Sequence, residues 1–541
     1  MTPNLITPSK SLGYTDIYLG FLAGIDPPKH LYPATSLEDV AGKLDRINYD
    51  RPALVDILKK QNTRCGASPK TFENIEKLAD PRTVCVFAGQ QAGFLGGPLF
   101  TIIKAVGIVK AAQLYTQQLG RPVIPIFWVA GDDHDFEEVN HAYVLDRDTE
   151  VREIAYKTPP EKQVSTAYIR FADQEELARA KEQLRENLGD TDFTPELYDL
   201  IDRTYTSEET FVSAFGKLMS SFMRDTGLIL FCPGDEDAKK FGAPFTKMVI
   251  ERQDALQAAI GAANDEITGL GYHLQVEKKD NAAHLFYDLD GRKPVMRDGD
   301  DFTVGDRKFT REELLALADE QPERFSPDVL TRPIFQSYLF PTISQKSGPA
   351  ELAYLAQVHK AFELFERPVP VYHARPTVTI VEKRFEKMIQ QYDINFEDLT
   401  GDIEQVVNRV LAKTFPENLE THVEQLKKDV EERFERFVKE SLEFDPSLRD
   451  FGRQIYGKID YNLKAFEGKV FSSHKKKSLD TRERIYRVWH ALFPNRGLQE
   501  RTINLTYFIS KYGFDFITFL ADRMDSEETS HQLLNLSEWD N

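Results

Sequence analysis

Between Thr83 and Ala130 two apolar runs are separated by a glycine loop and a helical pattern, and that order limits most of what this chain can fold into. TVCVFA, from Thr83 to Ala88, is short, rich in β-branched residues and free of charge, the composition of a strand buried on both faces. It runs directly into GQQAGFLGGP, which carries the four glycines Gly89, Gly93, Gly96 and Gly97. Beyond Pro98, apolar residues recur at three- and four-residue intervals until Gly120 and Pro122 stop the pattern, which predicts an amphipathic helix. VIPIFWVA, from Val123 to Ala130, is apolar throughout again. Strand, loop, helix and strand make a βαβ unit with a right-handed crossover and parallel strands. We therefore expect an α/β protein with a doubly wound parallel-sheet core.

A length of 541 residues exceeds what one hydrophobic core usually organises, so the rest of the chain is divided by pattern. We assign 1–145 to the first part of the core and 146–198, with its charged stretch QEELARAKEQLREN, to a mainly helical connecting insertion. The core continues over 199–269, where GLILFCPGD is a further strand candidate. In 270–329, D-G and G-D turns punctuate short alternating runs, which predicts a small β-containing insertion. The core closes over 330–384. Over 385–500 we expect an α-helical coiled-coil domain: Leu419, Val423, Leu426, Val430 and Phe437 approximate a 4-3 spacing between Pro416 and Pro446. Two long helices around DPSLRDFG would form an antiparallel hairpin. The last stretch, 501–541, reads as a helical segment whose acidic tail beyond Asp525 is frayed.

Charge and cysteine content narrow the class. With 87 acidic against 68 basic residues the net charge is -19, which argues against a protein that coats nucleic acid. Three separated cysteines match no C-x-x-C motif, so neither a disulfide framework nor a structural zinc site is expected. Met1 to Lys10 lacks signal-peptide character, and no run of about 18 apolar residues is present to span a bilayer. The expectation is a cytoplasmic protein with no membrane or nucleic-acid partner.

Three segments carry candidate chemistry. In the glycine loop, Gly89, Gln90, Gln91, Gly93, Gly96 and Gly97 precede a helix whose N-terminal amides suit a phosphate, with Lys104 two turns further on. The order is neither G-x-G-x-x-G nor G-x-x-x-x-G-K-[ST], and the plain alternative is a tight strand-to-helix turn. The second segment, Asp132, Asp133, His134 and Asp135, lies at the carboxyl end of the second strand, where open α/β sheets bind ligands. These four are the catalytic candidates; Asn140 and His141 close the segment as binding candidates, and helix capping is the plain alternative for the aspartates. In the third, Ser347 and Gly348 precede a helix that would carry Glu351 and Tyr354 on one side, with Ser347 a candidate cap. Arg332 is a candidate anion contact, while His284, His359 and His373 read as structural.

FAGQQAGFLGGPLFTIIKA, PIFWVAGDDHDFEEVNH, TRPIFQSYLFPTISQKSGPAELAYLAQ and PNRGLQERTIN together resemble the cysteine-adding enzyme family of bacillithiol biosynthesis, over almost the whole chain. The resemblance implies a Rossmann-like nucleotide-binding core, connecting-peptide insertions and a coiled-coil domain that forms a homodimer. It also implies addition of L-cysteine to glucosaminyl-malate through an amide bond. Where the family usually shows G-G-P-G-E, this chain has Ser347-Gly348-Pro349-Ala350-Glu351. The core also resembles class I aminoacyl-tRNA synthetases, yet neither H-I-G-H nor K-M-S-K-S is present.

On that basis we expect ATP-dependent activation of the cysteine carboxylate, with the glycine loop and Lys104 at the phosphates and Asp133 and His134 orienting or deprotonating the amine. Asp132 and Asp135 would contact an ammonium group or Mg2+; no zinc is expected. Two other classes fit the residues: a small-molecule adenylyltransferase, and a non-catalytic nucleotide-binding coiled-coil scaffold.

Overall fold

The computed structural model describes residues 4–24, 28–413 and 417–539, so Pro416, one expected boundary of the coiled-coil pattern, lies outside the described residues. The chain forms two compact units, Met1–Val381 with Pro494–Asn541, and Glu382–Phe493.

The first unit is built on five parallel strands, β1 (Val84–Gln90), β2 (Val123–Val129), β3 (Ile229–Phe231), β4 (Thr342–Ser347) and β5 (Val371–Ala374). Their spatial order is β5-β4-β1-β2-β3, all parallel. The chain starts at the centre, winds outward to β3, then returns to the other side of β1. The reversal between β1 and β4 opens a crevice at the carboxyl ends of the strands, where such sheets bind ligands.

Burial on both faces explains the continuously apolar strands. One face places Phe87, Trp128 and Phe231 against Phe335 and Phe340, with Trp128 and Phe231 ring centroids 5.0 Å apart. The other is covered by the helix Phe100–Leu119, which buries Ile103, Val106 and Ile108. Each such side chain stabilises the fold by roughly 1.5–3 kcal/mol relative to exposure. Gly89 lets β1 and β2 approach: a Cβ there would lie 2.7 Å from the Trp128 carbonyl oxygen.

The insertions differ in part from expectation. The region 146–198 is entered through a hairpin, His141–Leu145 with Val151–Ala155, before its helices Gln174–Leu188 and Thr194–Thr204. Asp146 makes that turn by accepting from the amides of Asp148 and Glu150. The second insertion is a five-stranded antiparallel sheet running from Ala282–Asp288 to Phe325–Pro327. Its D-G turn uses Gly291 at φ 109, a conformation closed to most side chains.

From Ser526 to Trp539 the tail is not frayed. His531–Asn535 forms the middle strand of a three-stranded sheet, between Asn4–Ile6 and Thr377–Val381. The Thr379 hydroxyl and His531 Nε2 are 2.8 Å apart at its centre.

In the second unit, Glu417–Phe444 and Leu448–Lys477 form an antiparallel helical hairpin, in which Lys427 pairs with Glu467 at 2.6 Å and the Phe434 and Tyr456 rings lie 5.9 Å apart. The expected seam is split: Val423 and Val430 are half-buried, whereas Leu419, Leu426 and Phe437 are exposed. No helix among the described residues is long and apolar enough to cross a membrane.

Candidate functional site

A cleft of about 680 Å³ lies at the carboxyl ends of β1, β2 and β4, and residues from all three sequence segments line it. Gly89, Gln90 and Gln91 come from the end of β1, Asp132, Asp133 and His134 from the end of β2, and Gly348, Glu351 and Tyr354 from the turn and helix after β4. The topology brings together what the sequence keeps more than 200 positions apart.

One cluster on the lining joins Lys104, Glu351, Arg332 and Arg375. Lys104 is buried and its Nζ donates to the Gly89 carbonyl (2.8 Å), Gln90 Oε1 (3.0 Å) and Glu351 Oε1 (2.9 Å). Glu351 sits in the first turn of the helix Pro349–Ala356 and accepts the Gly348 amide on its other oxygen at 2.7 Å. Burial works against the Glu351 carboxylate, but Lys104 and the Gly348 amide outweigh it and hold the group below the usual carboxylate range. Burial also draws Lys104 below the ordinary amine value, offset in part by Glu351. Arg332 donates to Tyr354 Oη and Gln336 Oε1, each at 3.1 Å, with its guanidinium 5.7 Å from the Trp128 ring centre. Arg375, paired with the fully buried Glu500 at 2.7 Å, and Arg501 complete this wall.

A second cluster gathers Asp132, Asp133, His134 and Arg292. Asp132 is held by Lys239 Nζ at 2.6 Å. Asp133 accepts from Gln91 Nε2 (2.8 Å) and from the backbone amide of His134 (2.8 Å). His134 Nδ1 lies 3.0 Å from Arg292 Nη1, and Arg292 is stacked 3.7 Å above the Phe286 ring. A guanidinium can only donate, so Nδ1 must accept and the proton of a neutral His134 resides on Nε2. Burial, reinforced by Arg292, lowers the His134 pKa against the pull of Asp133 and Asp135. His134 therefore presents its Nε2 proton as a donor to its surroundings, and Asp133 is the acceptor beside it. On the same lining, Asp328 is held at a pKa of about 2: burial opposes its charge, but His284 at 3.0 Å, Lys278 and the Thr331 amide prevail. His284 is thus structural, as its sequence context suggests.

Other candidates stand elsewhere. Asp135 caps the short helix Phe136–Val139 by accepting the Glu138 amide at 3.2 Å. Asn140 is buried and its Oδ1 lies 2.9 Å from His141 Nδ1, at the entry to the hairpin and off the cleft lining. Ser347 is buried in β4 and accepts from Gln345; Gly348, not Ser347, occupies the cap position of the following helix. Gly93, Gly96 and Gly97 also leave the cleft. A Cβ on Gly93 would meet Gly97 Cα at 2.8 Å, so these glycines serve the loop's own tight fold. The Asn504 side chain donates to the carbonyls of Leu95 (3.0 Å) and Gly97 (2.6 Å), and the Ile503 carbonyl accepts from the Leu99 amide. At the start of the following helix, the Leu99 amide is thus committed to the chain's own Ile503.

Arg292, Lys278, Arg375, Arg501 and Glu138 line the cleft without having been singled out in the sequence. Arg292 directly follows the D-G turn of the second insertion, the one local signal of its placement. Among the described residues no group of three or more His, Cys, Asp or Glu side chains is arranged to hold a metal ion. A magnesium ion here would draw most of its ligands from substrate oxygens and water, its usual habit at phosphate sites.

Residues 29–376 match the family model described as bacillithiol biosynthesis BshC, N-terminal Rossmann-like domain, and residues 378–536 match its C-terminal coiled-coil domain. The chain belongs to the BshC family of bacillithiol biosynthesis. It is 30% identical to the "Putative cysteine ligase BshC" of Salinibacter ruber over 98% of both chains. The proteins of the same name from Koribacter versatilis and Geobacillus kaustophilus are 30% and 31% identical, over 96% and 93% of this chain and 98% and 94% of theirs. The family's two domain models meet at 376–378, yet Arg501 and Asn504, inside the second, complete the cleft and loop of the first structural unit.

Proposed function

We propose that the protein is an amide ligase that joins the carboxyl group of L-cysteine to the amine of glucosaminyl-malate, forming bacillithiol, with ATP as the activating co-substrate. The observation that carries this reading is that one cleft gathers cationic groups, among them Lys104, Arg332 and Arg292, together with the carboxylates Asp132 and Asp133. An amide ligase needs both, a cationic surface for the anionic parts of its substrates and a carboxylate for the attacking amine. Membership of a family whose members are named cysteine ligases supports the same reading.

A free carboxylate is a poor electrophile, and ATP supplies a leaving group on its carbon. The chain's own residues do the remainder. Arg332 neutralises an oxyanion in a partly dry site, where Coulomb attraction exceeds its value in water, and Lys104, its three N–H groups taken by Gly89, Gln90 and Glu351, holds that wall in place. Asp133, fixed by Gln91, orients the ammonium of the acceptor and takes the proton that must leave before nitrogen can attack. His134, its Nδ1 occupied by Arg292, directs the Nε2 proton toward negative charge developing on the carbonyl oxygen. Phe100, Trp128 and Phe286 contribute apolar wall that limits water.

The protein acts in the cytoplasm and forms a homodimer through its helical hairpin. Leu419, Leu426, Phe437, Phe451 and Phe466 are exposed there, an apolar surface that a second copy would cover. Mass spectrometry of products from purified protein with cysteine, glucosaminyl-malate and ATP, each omitted in turn, tests the activity. Product that forms equally well without ATP, or none with all three present, refutes the reading.

A further inference from the structure

PNRGLQERTIN, from Pro494 to Asn504, stands out in the sequence but has no part in the chemistry just proposed. In the structure its second half is fastened to the core at three points. Gln499 exchanges hydrogen bonds with the backbone of Ile380, accepting its amide at 2.8 Å and donating to its carbonyl at 3.0 Å. Glu500 accepts the Val378 amide at 2.8 Å and pairs with Arg375, and Asn504 holds the glycine loop. Between these buried anchors Arg501 is exposed and lines the cleft; its backbone amide donates to the Leu498 carbonyl at 2.9 Å, while its side chain makes no hydrogen bond or ion pair among the described residues.

An arginine set on so rigid a base, its guanidinium without a hydrogen-bonded partner at a cleft where Lys104 and Arg375 already have Glu351 and Glu500, is available to an arriving anion. Its planar fork matches an oxyanion in two parallel hydrogen bonds, which a lysine cannot reproduce. We propose that Arg501 is a substrate-contacting specificity residue of this cleft that binds a carboxylate or phosphate group, and so ties recognition in the core to a segment supplied from beyond the helical unit. The inference rests on the ligase reading for the identity of the substrates, and two sources of the oxyanion are distinguished by experiment.

Arg501→Gln and Arg501→Lys are compared with the parent protein in steady-state kinetics. Both retain the parent melting temperature, because the side chain is exposed and unpaired. If Arg501 takes a carboxylate of the acceptor, Arg501→Gln raises the KM for glucosaminyl-malate at least ~10-fold while kcat and the KM for ATP stay within about threefold. If it takes a phosphate, the KM for ATP rises instead. Arg501→Lys falls between parent and Arg501→Gln. Unchanged KM values for both substrates overturn the proposal. Should the parent protein form no product, the ligase reading fails separately, and calorimetric titration with L-malate and with inorganic phosphate decides the role of Arg501. Binding of either anion weakened at least ~10-fold in Arg501→Gln sustains it, and equal binding of both overturns it.

Discussion

Lys104 and Glu351, 247 positions apart, form a 2.9 Å ion pair that joins the helix after β1 to the helix after β4 across the mouth of the sheet. The crevice between those strands is a product of topology, and this pair occupies it. Because Lys104 also holds the Gly89 carbonyl and Gln90 Oε1, one ammonium fixes three parts of the site.

Lys104→Met leaves Glu351 largely buried and without its ion-pair partner, with only the more distant Arg332 to offset its charge. The expected cost is about 3 kcal/mol of folding stability, with loss of turnover. The double variant Lys104→Met/Glu351→Gln recovers most of that stability but none of the activity. Urea unfolding of the two variants checks the first statement and product formation the second; equal stability of single and double variants contradicts the pairing.

Asp133→Asn keeps the size of the side chain and its contact with Gln91 but removes the proton acceptor. Turnover is expected to fall ~100-fold or more at an unchanged melting temperature. Asp135→Asn, which alters only a helix cap, leaves turnover within about twofold of the parent. Near-normal product formation by Asp133→Asn removes it from the catalytic set.

Asp328 supplies a pH signature. Its folded pKa of about 2 lies below the ordinary 3.8, so the folded state favours its charged form. The resulting stability is fully present above pH 4 and is lost as pH falls from about 4 toward 2, amounting to about 2 kcal/mol. His284→Gln removes the principal stabilising partner and flattens this acid limb in denaturation curves recorded between pH 2 and 5. An unaltered limb contradicts the assignment.

Phe437→Glu with Phe451→Glu places charge on two residues that are 65% and 61% exposed in the hairpin. Sedimentation velocity is expected to show a dimer for the parent and a monomer for the double variant, with little change in melting temperature. A persistent dimer locates the interface elsewhere.

Parts of this architecture were legible in the sequence for physical reasons. Strands buried on both faces are apolar without interruption, which exposes β1 and β2, and the turn after a parallel strand sits at the ligand-binding edge, which singles out Asp132 and Asp133. The rest depends on distant partners. His531–Asn535 is a strand because Thr377–Val381 and Asn4–Ile6 flank it, and no local pattern encodes that pairing. Arg292 and Arg501 read as ordinary surface charges until an insertion and a returning segment deliver them to the cleft. The glycine loop likewise has a partner that no local pattern announces: Asn504, more than 400 residues later, holds the carbonyls of Leu95 and Gly97.

That last contact bears on synthesis. A ribosome releases the five sheet strands long before it reaches Asn504, so during elongation the loop after β1 waits without its plug and Arg375 without Glu500. The nascent core cannot acquire its working form until nearly the whole chain has emerged, and a product cut short before residue 500 leaves a sheet with an unfinished mouth.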